Sequence, residues 1–315
     1  MNTTDELIAF GAPGIEPRWT SSAKEGVGTA YHTSCRLWFT ISHGIINEIY
    51  YPRVDQPNTR DFQFLISDGE TFCHEEKRDL NHVVEYPERD CLLYRLTNSE
   101  RQGRYQLIKH VLTDPHRSVL LVHTKVEVLD ESLRGKLRLY ALLAPHGASN
   151  SGRCFEIGAS TLIHAQREDV HQVTGCSSGF TRRSVGYVGA SDGWRDLTTN
   201  FKMDWEFRSA ERGNIALTGE IDLPSDGEFT IAVACGGSYQ STAANLLLSL
   251  AEPFVWSTDD WARTNRTDTI HESGLNLWFA DFPTAELPVG SVIAFTCFWK
   301  RDQRWEGRNW QVNVQ

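Results

Sequence analysis

Six residues carry side chains that could do chemistry: His32, His43, Glu48, Asp192, Trp194 and Asp204. Gathered into one pocket by a folded sheet, the imidazoles and carboxylates would act as general acids and bases. His32, Glu48, Asp192 and Asp204 are the candidates for such a catalytic role. No nucleophile–base pair can be read from their spacing, and hydrogen-bonded sheet-edge or turn residues account for the same positions. Ser191-Asp192-Gly193 in particular reads as a turn. A second set suits recognition. Tyr50, Tyr51, Arg53 and Asp55 surround Pro52, where aromatic rings would stack on a polyhydroxylated ring and the charged pair would hydrogen-bond its hydroxyls. A loop kept only for packing would also read this way. Trp194 and Trp305 add indoles to the ligand-binding candidates. Trp299, Trp305 and Trp310 fall close together, but Trp310 is in register with Val312 and Val314 and so reads as core. Trp305, beside Glu306-Gly307, reads as half-exposed.

Other chemistries find little support. The eleven histidines show no His-x-x-x-His or similar spacing, so no metal site and no cofactor are expected. The seven cysteines, at positions 35, 73, 91, 154, 176, 235 and 297, form no Cys-x-x-Cys pair. Most lie in apolar strand-like runs as small hydrophobes, which implies reduced thiols. A net charge of −10 without a Lys/Arg cluster disfavours nucleic acid. No apolar run reaches the roughly 18 residues of a membrane span, and the first residues carry no secretory pattern, so a cytoplasmic protein is expected.

The elements that would position these residues are mostly strands. Leu120, Val122, Thr124, Val126 and Val128 alternate with other residues, as do Leu137, Leu139, Ala141 and Leu143, then Phe229, Ile231, Val233 and Cys235. Phe201, Met203, Trp205 and Phe207 repeat the pattern against Lys202, Asp204 and Glu206. A period of two puts one face in a core and the other in water. Asp68-Gly69 and Asp226-Gly227 are turn dipeptides between such runs. Roughly a dozen or more strands are too many for one flat sheet, which predicts an all-β fold of two large packed antiparallel sheets. One short helix is predicted near 242–252, capped by Ser241 or Thr242 and closed by Pro253, with Leu246, Leu247, Leu250 and Phe254 on one face. The polar stretch 257–270 reads as a linker.

Longer stretches carry a resemblance. Ala12 to Ala30, including Arg18-Trp19 and Lys24, continues through Leu37 to Asp55 and into Arg60-Asp61-Phe62-Gln63 and Asp68-Gly69. Gly186 to Leu197, with Asp192-Gly193-Trp194, and Asn214 to Ile221 also fit. Together these segments resemble the N-terminal region of glycoside hydrolase family 15 enzymes: glucoamylases, glucodextranases and the trehalases of that family. Asp281 to Gly290 and Trp305 to Val314 resemble the C-terminal tail of the bacterial-type glucoamylases. The resemblance implies a β-supersandwich of galactose-mutarotase-like shape over 1–256. It also implies a β tail over 271–315 packed on that sandwich. The loop from Pro145-His146 to Cys154 departs from the family pattern.

In that family the chemistry belongs to a separate (α/α)6 barrel whose two glutamates invert the anomeric centre. Inversion places two carboxyls about 6.5–9.5 Å apart around a water. Here no position matches either glutamate and the long alternating helices of a barrel are missing, so no catalytic residue is carried over. Three readings follow: a non-hydrolytic sandwich that binds a carbohydrate-like small molecule or a partner, a recruited isomerase, epimerase or small-molecule cyclase, or an inactive truncated relic. The resemblance also leads to the expectation of a homodimer through the surface that faces the barrel in the full enzymes.

Overall fold

The computed structural model describes residues 7–30, 32–87 and 92–250, then 254–257, 265–267, 270–272, 277–279, 287–296, 298–299, 304–305 and 310–313. The chain divides into two compact units between Leu246 and Leu247.

In the first unit the alternating runs become strands. They are β1 (Gly26–Thr29), β2 (Trp38–Ser42), β3 (Ile45–Tyr50), β4 (Pro57–Ser67) and β5 (Cys73–Glu75), followed by the one-turn helix α1 (Glu76–Asp79). Next come β6 (Leu80–Glu85), β7 (Tyr94–Glu100), β8 (Tyr105–Thr113), β9 (Val119–Val128), β10 (Arg138–Pro145), β11 (Asn150–Ile157), β12 (Ser160–Arg167), β13 (Val170–Cys176) and β14 (Phe180–Tyr187). Helix α2 (Gly193–Asn200), strands β15 (Ser209–Gly213), β16 (Ile215–Ile221) and β17 (Glu228–Gly236), and helix α3 (Tyr239–Leu250) complete the order.

Eight strands form one sheet in the order β1-β2-β3-β4-β10-β16-β14, with β5 pairing β4 at its side. Nine form the other, β15-β11-β12-β13-β17-β9-β8-β7-β6. The two large packed antiparallel sheets expected from the pattern are what the chain forms, as the supersandwich that the resemblance implies. Alternate side chains of both sheets fill one core, among them Phe62 and Phe64 of β4, Leu139 and Leu143 of β10, Leu120 and Val122 of β9, and Ile231 and Val233 of β17. Each such burial contributes about 1.5–3 kcal/mol. The turn dipeptides hold, with Gly69 at φ +79° and Gly227 at φ +74°.

The core encloses an ion pair. Lys109 of β8 points inward, 1% exposed, and its ammonium meets the Glu76 carboxylate and donates to the Gly44 carbonyl at 2.7 Å. Glu76 also accepts from the Phe64 amide at 2.9 Å and from the Asn98 side chain. Gly44 has φ +72°, and a Cβ there would lie 2.4 Å from Asn98 Oδ1, so this corner demands glycine.

Three expectations need correction. Phe201–Phe207 is not a strand: it is an extended segment lying across the outer face of the eight-stranded sheet. There Met203 packs with Leu65, Tyr140, Leu142, Leu197 and Ala216. Alternation reports two environments, and a covering segment has two as a strand does. Ser191-Asp192-Gly193 is a helix start, because Asp192 accepts the Arg195 amide at 3.1 Å as N-cap of α2. Phe201 closes that helix in the left-handed region. The helix expected near 242–252 starts earlier, at Tyr239, where Ser238 accepts the Ser241 amide. Pro253 lies outside the described residues.

The second unit has its own antiparallel sheet, in the order Asn265–Thr267, Phe254–Ser257, Val292–Thr296, Trp310–Asn313. A strand thus occupies part of the stretch read as a linker. Two separate two-stranded ladders are described as well, Ile270–Glu272 with Leu277–Phe279 and Phe298–Trp299 with Arg304–Trp305. Among the described residues no helix is long and apolar enough to cross a membrane. Cys35, Cys73, Cys154, Cys176 and Cys235 are free thiols, and burial pushes Cys73, Cys154 and Cys235 up to about 12. Cys91 and Cys297 lie outside the described residues.

Candidate functional site

The outer face of the eight-stranded sheet carries what its inner face excludes. Along β4, Phe62, Phe64 and Ile66 point inward, so the residues that alternate with them, Asp61, Gln63 and Leu65, point out. A bulge sharpens this. Thr59 pairs Pro145 and Asp61 pairs Ala144, so Arg60 is an extra residue with no partner on β10. Arg60 and the adjacent Asp61 both line a groove of about 360 Å³ on this face, and they bond each other at 3.1 Å. Further register shifts at Thr40/Ile41 and Ile49/Tyr50 bend the neighbouring strands at the same end of the sheet.

Two walls rise over the sheet. One is the segment 15–21. The Ile15 amide donates to the Val188 carbonyl at 3.0 Å, and Asn214 donates to the Ile15 carbonyl at 2.9 Å. Thr20 donates to Asn47 at 2.6 Å, and Asn47 donates to the Ser21 carbonyl at 2.8 Å. Held at both ends, the segment presents Trp19, 74% exposed, with its ring 4.6 Å from that of His146. Burial, then Arg167, lowers the His146 pKa from its usual value.

The second wall combines α1, β5 and the start of α2. Trp194, in the first turn of α2, donates its indole N–H to Glu75 at 3.2 Å. Glu75 also accepts from Gln63 at 2.9 Å and pairs with Arg78 at 3.3 Å. Asp192 is spent on backbone, accepting from Arg195 and Gly189. Arg18, Lys77 and Arg78 complete the charged lining.

Beside the groove, Glu48 is nearly buried. It accepts from Lys24 at 2.7 Å, from the Tyr50 hydroxyl at 2.6 Å and from Thr40 at 3.5 Å. Burial, and then the adjacent Glu48, pushes the Tyr50 hydroxyl well above its usual range.

The sequence candidates therefore separate. Asp192 and Trp194 line the groove, and Glu48 and Tyr50 form one cluster. His32 lies elsewhere, bonded to Ser34 at 2.7 Å, with His116 5.1 Å away ring to ring. Arg53 and Asp55 close on each other through two bonds of 3.0 and 2.7 Å at the surface. Tyr51 packs against the core, with burial raising its hydroxyl pKa. Asp204 bonds Asn200, and its amide donates to Asp196 at 2.9 Å. His43 sits in the turn after β2 with φ +53°. Trp305 belongs to a short strand whose side chains lie outside the described residues, as does Glu306-Gly307.

Sequence reasoning passed over Trp19, Arg18, Arg60, Asp61 and Gln63 as site residues, although all stand inside the stretches that carry the family resemblance. Glu75, Lys77 and Arg78 gave no signal, because a one-turn helix has no periodicity. Among the described residues no group of three or more His, Cys, Asp or Glu could hold a metal ion.

The family model for domain N of glucodextranase matches residues 9–264. The chain belongs to this N-domain family. A similar curated protein is a glucoamylase of Clostridium sp. (strain G0005), 32% identical over 254 residues, a match spanning 79% of this chain and 36% of that protein. A similar solved structure is a bacterial glucoamylase complexed with acarbose. It is 33% identical with a TM-score of 0.75, over 78% of this chain and 36% of that one. The N-domain chain thus spans about a third of the length of the enzymes it matches.

Proposed function

We propose that this N-domain protein binds a carbohydrate-like small molecule in the groove on the outer face of its eight-stranded sheet, and does not itself cleave a glycosidic bond. One observation carries the reading. Two indoles, Trp19 and Trp194, meet Arg60, Asp61 and Gln63 in a single cleft. Its volume is at the low end of ligand clefts, roughly 300–1,000 Å³. Indole faces suit the apolar face of a sugar ring, while the polar groups fix its hydroxyls. Membership of a family whose relatives include glucoamylases supports the carbohydrate class.

Hydrolysis is a poor fit to this cleft. An inverting pair needs one carboxylate free to activate water. Here Asp61 is held by Arg60, Glu75 by Gln63, Trp194 and Arg78, and Asp192 by the start of α2.

Tryptophan fluorescence of the purified chain, titrated with a panel of mono- and disaccharides, tests the reading. Saturable quenching by at least one sugar is expected, weakened about tenfold or more by Trp19→Ala or Trp194→Ala, as loss of an aromatic anchor costs ~2 kcal/mol. A panel without any saturable change would overturn it. Maltotetraose and starch should yield no glucose above a blank, and glucose release would overturn the non-hydrolytic part.

The Glu48 cluster favours a second reading, a recruited isomerase, epimerase or cyclase. A nearly buried carboxylate bonded to a phenol and an ammonium is a ready proton-transfer set. Under this reading Glu48→Gln abolishes conversion of a bound sugar, followed by NMR. Absence of any conversion by the unaltered protein counts against it.

A further inference from the structure

The donors and acceptors of the groove do not balance, and the imbalance says what kind of sugar it suits. Its charged lining comprises Arg18, Arg60, Lys77 and Arg78 against Asp61, Glu75 and Asp192. All three carboxylates are engaged. Asp61 accepts from Arg60 at 3.1 Å. Glu75 takes Gln63 and Trp194 on its two oxygens and pairs with Arg78 at 3.3 Å. Asp192 accepts the amides of Arg195 and Gly189.

The cations are not all engaged. The Arg18 guanidinium and the Lys77 ammonium have no hydrogen-bond or ion-pair partner among the described residues, although Lys77 gives its backbone amide to Gln63 at 3.2 Å. Arg60 meets Asp61 through Nε, which leaves the other guanidinium N–H groups of its fork to spare.

A neutral sugar hydroxyl donates as well as accepts, so a site for neutral sugars offers carboxylates along with its donors. This groove offers donors beyond the acceptors it has left, within a chain of net charge −10. Surplus Arg and Lys donors match a ligand with an acceptor-only group, since carboxylate and phosphate oxygens take charge-assisted bonds from such donors. The geometry points to an anionic sugar, a uronate or sugar phosphate, as the ligand class of the groove. The anion meets Arg18 and Lys77 while the ring lies against Trp19 and Trp194. This rests on the carbohydrate reading above.

Calorimetric titration of the purified protein with D-glucuronate, glucose 6-phosphate and glucose at low and high salt tests it, and the two anions separate the carboxylate source from the phosphate source. At least one anion should bind about tenfold or more tightly than glucose, the worth of charge-assisted hydrogen bonds. The advantage should shrink with salt. The double variant Arg18→Gln/Lys77→Gln, at an exposed and a half-buried position, should lose the preference and keep the far-ultraviolet circular dichroism of the parent. Equal binding of glucose and both anions overturns this inference and leaves the carbohydrate reading standing. Binding by none of the three, with Trp19→Ala and Trp194→Ala equally inert across the wider sugar panel, overturns both. A preference that survives the double variant overturns the assignment to Arg18 and Lys77.

Discussion

At Lys109 the fold is sensitive to a single change, since a buried ammonium there meets a buried carboxylate. Burial lowers the Lys109 pKa, and Glu76 beside it opposes that lowering. Lys109→Met removes the ammonium and leaves the Glu76 carboxylate buried with the Phe64 amide and Asn98 for company. An uncompensated buried charge costs about 3–5 kcal/mol. Urea unfolding should show a loss of that size, and adding Glu76→Gln should recover most of it. An unchanged midpoint for Lys109→Met would show that the pair contributes nothing. Alternation with Tyr105, Leu107 and Val111 puts this lysine on the inward face of β8, but nothing in the sequence marked the partner that meets it there. The same holds for Arg53 and Asp55. They read as ligand contacts, yet they satisfy each other at the surface, two residues apart.

Among the elements, α2 shows how a local signal acquires its meaning from what lies beneath it. Asp192 looked like a turn residue or an acid. In the folded chain it caps a helix whose Leu197, with Met203 beyond, covers Leu65, Tyr140, Leu142 and Ala216 on the sheet. Asp192→Ala should therefore lower stability by about 1 kcal/mol, up to about 2, and loosen the start of α2 that carries Trp194. Asp192→Asn should keep the cap and most of the stability. Thermal melts of the two variants decide the point, since a role as an acid would make Asn as damaging to function as Ala. Strands were more legible than helices. β9, β10 and β17 stand where alternation put them, because one face of each meets the core of the sandwich; only β9 leaves its other face half-buried, while Tyr140 and Leu142 on the outer face of β10 are covered by Leu197 and Met203. The Phe201–Phe207 segment obeys the same alternation as a cover. Only the presence of the sheet under Met203 tells the two apart.

At the scale of the whole molecule, the histidines set an acid limit. His164 is buried, bonds His171 at 3.0 Å and lies against Tyr239. Burial, then the neighbouring His171, lowers its pKa to about 4. His171 and His110 are lowered as well, again chiefly by burial. The unfolded chain therefore binds more protons than the folded one below the ordinary histidine pKa of about 6.5. Stability should hold above that pH and fall as the pH drops toward 4, with His164 contributing on the order of 3 kcal/mol at most. Urea midpoints from pH 7.5 to 4.5 should show this slope, and His164→Gln should flatten it. A slope untouched by the substitution would assign the acid sensitivity to other groups.

The sequence by itself determined that this chain is a two-sheet β-sandwich of the glucodextranase N-domain family. A period of two recurring over so many runs admits few other burial schemes, and the family motifs are long. The sequence also placed Trp194 and Asp192 among residues worth watching. Only the tertiary structure decided which polar residues share a site. The groove draws on Arg18 and Trp19, on Arg60 and Asp61 at a bulge, on Lys77 in one helical turn and on Trp194 in another. Their meeting depends on strand order, on register and on an extra residue opposite Ala144 and Pro145. These are non-local facts, set by how β4 pairs with β10 and by what lies across the outer face of the sheet.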